Sequence, residues 1–220
     1  MGLFDFLKKN SSKEKAVEKP SSTEPENNIN QSFIDDGVKF EFPSGSRLEL
    51  VEDKFEKTKI LRFSTFAYYG LDKFMMFTDK SDSFLIGFRA EADKILLVIS
   101  TYQKQIKLSK GDTVKVLFDD SEVLDFQLDK NGYKFDKDDG GVMVESYSEI
   151  NEETLKRFVE HDIDKIRLQT KDGLNHNINF DLKTAEDFCE AVFTFHYSFK
   201  NFYQKEEYVS EDEHLKNSKS

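Results

Sequence analysis

The chain contains no tryptophan, one cysteine (Cys189) and three prolines, all of them before residue 44. A lone cysteine excludes an internal disulfide framework and any cage built from several thiolates. Without tryptophan the chain lacks the large indole platforms that carbohydrate sites favour. No window reaches the roughly 18 to 20 apolar residues that cross a bilayer. The start turns polar after Leu7, so no secretory h-region is expected, and these absences together point to the cytoplasm. The proline-free stretch from residue 44 onward suits continuous regular structure, because proline removes ladder and helix hydrogen bonds.

The motifs of nucleotide and acyl chemistry are also missing. There is no GxGxxG, no GxxxxGK[ST], no GxSxG and no HExxH. Asp136-Lys137-Asp138-Asp139-Gly140-Gly141 invites a calcium reading but breaks the EF-hand pattern twice, with Gly140 at the fifth position and Tyr147 at the twelfth. It reads instead as a polar hairpin loop. Cys189 and His196 share a helix face at about 10 Å, too far for a direct bond, and sit in an aromatic stripe. They read as a packed thiol and a core histidine. His161, His176 and His214 have no partner at ligand spacing. The carboxylates Asp79, Asp82, Asp119, Asp120 and Asp125 are no more than a chain with 43 acids offers by chance. No catalytic, cofactor-binding or metal-ligating residue is assigned, and no cofactor is expected.

The net charge is −11. Residues 1–32 hold five lysines and five acids, and the segment after Tyr203 carries −2, so −9 belongs to the middle of the chain. Such a surface repels phosphate backbones, and no basic run exceeds Lys8-Lys9 or Lys104–Lys110, so nucleic acid is not an expected partner.

What the chain has in quantity is phenylalanine, 22 residues of 220. Val38, Phe40 and Phe42 alternate with Lys39 and Glu41; Pro43-Ser44-Gly45-Ser46 turns them into Leu48 and Leu50, a hairpin pattern. Lys59–Ser64 and Lys73–Phe77 read as strands flanking an aromatic loop, Phe66-Ala67-Tyr68-Tyr69-Gly70. The centre, Ser83–Leu128, reads as four strands in an antiparallel meander. Within it Ile95–Ile99 is uninterrupted apolar sequence, suited to a strand buried on both faces. Asn151 is placed to cap a helix whose stripe is Leu155, Phe158 and Val159. Strands over Ile163–Thr170 and Asn175–Phe180 follow. A last helix, Thr184–Tyr203, opens on a capping box of Thr184 and Asp187. Its apolar face, with Phe188, Val192, Phe195, Phe199 and Phe202, is wider than the stripe of about 100° that one sheet contact needs.

The expected fold is mainly β (α+β), an antiparallel β-sandwich or bent sheet with two C-terminal helices packed against it. The expected organisation is a leader and disordered linker (1–32), one globular domain (33–204) and an acidic tail (205–220). The expected function is a non-catalytic cytoplasmic binding or adaptor protein working through protein–protein contacts, with a homodimer through the Phe-rich helix as one form. The candidate interaction surface comprises Leu3, Phe4 and Leu7 of the leader, Phe66, Tyr68 and Tyr69 of the aromatic loop, and Phe193 and Tyr197 of the helix. Residues 1–9 form a short amphipathic patch that suits transient contact with a membrane surface or a partner. The alternative is a hydrolase using acidic residues, with a weak divalent-ion site near Asp119 or Asp136.

Overall fold

The computed structural model describes residues 29–34, 36–43, 46–53, 57–63, 84–102, 106–136 and 142–204. Twelve strands and two helices lie within them. The strands are β1 Asn30–Ile34, β2 Gly37–Glu41, β3 Arg47–Asp53, β4 Thr58–Phe63, β5 Phe84–Glu91, β6 Lys94–Tyr102, β7 Thr113–Phe118, β8 Val123–Gln127, β9 Tyr133–Asp136, β10 Val142–Ile150, β11 Ile163–Gln169 and β12 Asn175–Asn179. The helices are α1 Glu152–Glu160 and α2 Leu182–Ser198, the latter prolonged by a π-helical turn, Phe199–Tyr203. An eight-stranded sheet runs β1-β2-β3-β4-β5-β6-β10-β9, and a four-stranded sheet runs β12-β11-β7-β8. Among the described strands every pairing is antiparallel. This is the mainly β architecture with late helices that the residue pattern implies.

One sequence expectation fails in an informative way. The four central strands exist, but they are not one meander. β5 and β6 pair with each other, and β6 then takes β10 as its other neighbour, with Met143 opposite Tyr102 and Ile150 opposite Ile95. β7 and β8 belong to the second sheet. Between β6 and β7 the chain crosses from one layer to the other, burying Ile106 and Leu108 on the way. Two corrections concern ends. β1 starts at Asn30, inside the stretch read as linker. α2 starts earlier than Thr184: Asp181 is the N-cap, and its Oδ1 accepts both the Thr184 N–H at 2.8 Å and the Thr184 hydroxyl at 2.6 Å. Asp187 instead meets Lys183 at 3.1 Å.

Both sheets share one hydrophobic core with the helices. On β5 the residues Phe84, Ile86, Phe88 and Ala90 face it, and on β7 Val114, Val116 and Phe118 do. α1 carries the joint between the sheets. Its Phe158 ring lies 5.3 Å from Phe88 of the large sheet, and 5.5 Å and 6.0 Å from Phe118 and Phe126 of the small one. α1 begins as expected, with Asn151 Oδ1 accepting the Thr154 N–H at 2.7 Å. α2 lays Phe188 and Phe195 on Phe88, and Phe195 also on Phe63. The π-turn lets Phe202 stack on Phe40 at 4.4 Å and directs the Tyr203 hydroxyl to accept the Asp93 N–H at 3.2 Å. β6 is buried on both faces, as its unbroken apolar run implies: Leu96 and Val98 are as enclosed as Leu97 and Ile99.

The β5–β6 connection holds two residues, Ala92 and Asp93, both at positive φ (47° and 62°), as a primed hairpin turn requires. An alanine there sets its Cβ against the following carbonyl. Ala92→Gly removes that crowding at some entropic cost, so we expect a net gain of about 0.5 to 1 kcal/mol in thermal unfolding.

Candidate functional site

Among the described residues, titratable side chains gather in three places. The first lies on the face of the large sheet turned away from the core. Arg89 on β5 and Glu145 on β10 are brought together across β6, with Arg89 Nη1 donating to Glu145 Oε1 at 2.7 Å. Tyr133 on β9 donates its hydroxyl to the same oxygen, and Arg89 Nη1 lies 3.2 Å from that hydroxyl. Ser100 donates to Glu145 Oε2 at 3.5 Å, and Glu91 Oε2 stands 3.0 Å from Arg89 Nε, an ion-pair contact without hydrogen-bond alignment. Glu145 is only 5 % exposed. Burial alone would lower the Arg89 pKa, but Glu145, Tyr133 and Glu91 more than offset it and hold it above its ordinary value. Burial first, and Glu145 second, push the Tyr133 phenol up to about 12. A phenol so raised stays protonated and donates; it is not a ready nucleophile. The cluster is a neutralised network that seats a carboxylate inside a sheet.

The second place joins the β7–β8 turn to α1. Arg157 Nη2 bridges Asp120 and Glu122, and its guanidinium lies over the Phe118 ring at 5.5 Å. His161, just after α1, brings Nδ1 to 3.4 Å from Asp119 and 3.6 Å from Asp120. Ligand atoms of Asp119, Asp120 and His161 all fall within 4.8 Å of one another. A backbone bond from Glu122 and the Arg157 contact keep the Asp120 carboxyl below its usual pKa. The set offers two carboxylate oxygens and an imidazole nitrogen, the donors a divalent ion would use. Arg157 is already the cation seated there, so an ion must compete with a guanidinium. Sequence spacing could not show this juxtaposition, because Asp119 and His161 stand 42 residues apart and meet only when α1 docks on the β7–β8 turn.

The third place clamps the start of α1 to the end of α2. Glu152 takes Lys200 Nζ at 2.7 Å and stands 3.5 Å from His196 Nε2 and from Lys156 Nζ. The Lys200 bond is the main cause holding the Glu152 carboxyl below its ordinary pKa. Burial is the main cause lowering His196 below the usual 6.5, against the pull of Glu152. Between the folded and unfolded His196 values the unfolded chain binds more protons, so stability rises with pH there. Stability is therefore expected to fall as pH drops below about 6.5, first through His196 and then, at carboxylate pH, through Glu152. In His196→Gln the first part of that loss disappears from urea titrations run between pH 7 and 5.

Of the residues expected at an interaction surface, Leu3, Phe4, Leu7, Phe66, Tyr68 and Tyr69 lie outside the described residues, as do 137–141 of the hairpin loop and the strand expected over 73–77. Tyr197 lies edge-on to Phe42 at 6.4 Å and to Phe202 at 6.0 Å, and Phe193 is half-buried. The breadth of the α2 face is taken up within the chain, where Ala185, Phe188, Ala191, Val192, Thr194, Phe195 and Ser198 are all buried. Cys189 and His196 part company as their spacing implies: the thiol donates to Val159 O at 3.1 Å, while the imidazole faces Glu152. Strand β1 is exposed along its whole length and forms one end of the large sheet among the described strands. No helix among the described residues is long and apolar enough to cross a membrane. No protein-family model, no curated protein and no solved structure matches the chain.

Proposed function

We propose that the chain is a non-catalytic, cytoplasmic binding protein that acts through protein–protein contacts, with β1 as its docking edge. The observation that carries this reading is the state of that edge: five exposed residues, Asn30-Gln31-Ser32-Phe33-Ile34, without a charge, a proline or a bulge. Sheet edges in monomeric proteins are guarded by such devices, because an open row of N–H and C=O groups pairs with any extended segment. The internal polar clusters support the same reading, since Glu145 and Asp120 spend their oxygens on arginine, serine and tyrosine partners within the fold. The test is capture from native lysate with the full chain and with Ser32→Lys, which puts an edge-guarding cation on an exposed position. A partner retained by the first and lost by the second is expected; capture by both proteins alike moves the docking surface elsewhere.

One observation favours the hydrolase alternative, the convergence of Asp119, Asp120 and His161. A weak divalent-ion site there predicts binding heat at millimolar Mg²⁺ or Ca²⁺ that vanishes in Asp119→Asn. A flat titration of the unmodified chain removes this reading in its metal-dependent form.

A further inference from the structure

We infer that the face of the small sheet turned away from the core docks an extended acidic segment of a protein partner. This adds a second surface to the binding reading and makes no use of β1. The core takes Val114, Val116 and Phe118 from β7 and Ile166 and Leu168 from β11. Alternation therefore leaves Lys115, Lys165 and Arg167 on the outward side. The register sets Arg167 directly opposite Lys115, and Lys165 opposite Leu117. The three cations form a triangle, with about 7 Å between the two on β11 and about 7 to 8 Å from Lys165 to Lys115 on the diagonal. Asp125 of β8 takes Lys115 Nζ at 2.8 Å, and Asp164 stands in the β-bulge beside Lys165. Arg167 Nε donates to Asn177 Oδ1 at 3.0 Å, using one of the several N–H groups of a guanidinium. Among the described residues, no carboxylate comes within ion-pair distance of Arg167 or Lys165. The acids of the β7–β8 turn, Asp120 and Glu122, are held by Arg157.

Like charges directly opposed weaken a ladder. This one keeps Lys115 against Arg167 in a chain that carries −11 and has 43 acids for such positions. A carboxylate set between the two cations relieves the repulsion, so the face is matched to negative charge. Spacing gives the shape of the ligand. Side chains on one side of an extended peptide recur about every 7 Å, the interval between Lys165 and Arg167. A segment with acids at alternate positions therefore meets one cation after the next. Beside them β12 exposes Asn175, Asn177 and Asn179, amides that donate hydrogen bonds without adding charge. No aromatic ring stands on the outward positions of these four strands, so nucleic-acid bases have nothing to stack on. At about 0.15 M salt charges more than about 8 Å away are screened, so the triangle outweighs the net −11 at contact.

Fluorescence anisotropy of the full chain with a labelled, alternating Glu–Ser octapeptide tests this at about 0.15 M salt. Saturable binding is expected, weaker at about 0.5 M salt and absent for the Gln–Ser counterpart. Arg167→Glu and Lys165→Glu are each expected to weaken it by about tenfold or more. Lys183→Glu, at an exposed lysine on α2, is the control and changes it by less than about twofold. Arg167→Glu also puts an acid opposite Lys115, so its melting temperature holds or rises, which separates lost binding from lost folding. No saturation up to about 1 mM peptide overturns the inference, as does binding indifferent to both reversals. Tighter binding of an oligothymidine of equal length, lost in the same variants, overturns it too and makes the face a nucleic-acid surface. None of these failures touches the capture test above, which varies a different surface.

Discussion

Asp112→Ala is expected to remove about 3 to 5 kcal/mol of unfolding free energy, a loss at the upper end of what one side chain outside a hydrophobic core can cause. Asp112 is 1 % exposed and lies at the corner where the chain, having crossed from the large sheet, enters the small one. Each carboxylate oxygen holds a different segment. Oδ2 accepts the Ser109 N–H at 2.7 Å, and Oδ1 accepts the Lys171 N–H at 2.9 Å, from the turn between β11 and β12. Its own backbone completes the joint, with the N–H donated to Ser109 O at 3.0 Å and the carbonyl accepting the Leu128 N–H at 2.9 Å. Hydrogen bonds to a charged acceptor contribute about 1.5 to 3 kcal/mol each, and alanine removes the acceptor of both part-buried N–H groups at once. Gly111 beside it adopts φ +82°, and a Cβ there would come within 3.0 Å of the Lys171 side chain. Asn at position 112 keeps one acceptor and turns an NH₂ toward the other donor, so about half the loss is expected. Urea midpoints at neutral pH measure both. A change under 1 kcal/mol for Asp112→Ala means that water reaches these donors and the corner is looser than its distances imply.

How much of this was legible in the residues follows from how far apart the deciding partners lie. Patterns that act within a few residues read correctly: the alternation of Val38, Phe40 and Phe42, the Asn151 cap, and the double burial of Ile95–Ile99. The β6-to-β7 crossing did not, because a polar connection reads alike whether it closes a hairpin or changes layers. Only the pairing of β6 with β10 decides it. β10 itself was half hidden. Glu145-Ser146-Tyr147-Ser148-Glu149 carries no apolar alternation to mark a strand, and Arg89, 56 residues away, neutralises Glu145 and makes its burial possible. The start of α2 was misplaced because Leu182 is 63 % exposed and gives no apolar signal, while the Asp181 cap acts through Thr184. The Asp119–His161 approach belongs to the same class, a contact made by docking rather than by spacing. At β1 the residue signal pointed the other way. The polarity of Asn30–Ser32 suggests a linker, and the same residues form a strand paired with β2.

Phe158→Ala is expected to cost about 3 to 5 kcal/mol, and the value of the experiment lies in what unfolds with it. The side chain is fully enclosed (0 % exposed) and touches rings from both sheets, Phe88 on one side and Phe118 and Phe126 on the other. The Phe88 and Phe118 contacts are edge-on, each adding roughly 0.5 to 1.5 kcal/mol beyond buried area. The cavity left by truncation opens between the layers, where neither sheet can collapse without breaking its own register, so little of the loss is recovered by relaxation. Phe158→Leu refills most of the volume and is expected to lose less than half as much. If the layers fold as one unit through this ring, probes on the two sheets report a single shared transition in Phe158→Ala. Amide exchange on β5 and on β11 supplies those probes. Should β11 lose protection well before β5, the small sheet has its own stability and α1 is a removable bridge. Coincident loss makes the Phe158 contact the element that binds both sheets into one cooperative fold, and with it the Asp119–His161 cluster that exists only while α1 stays docked.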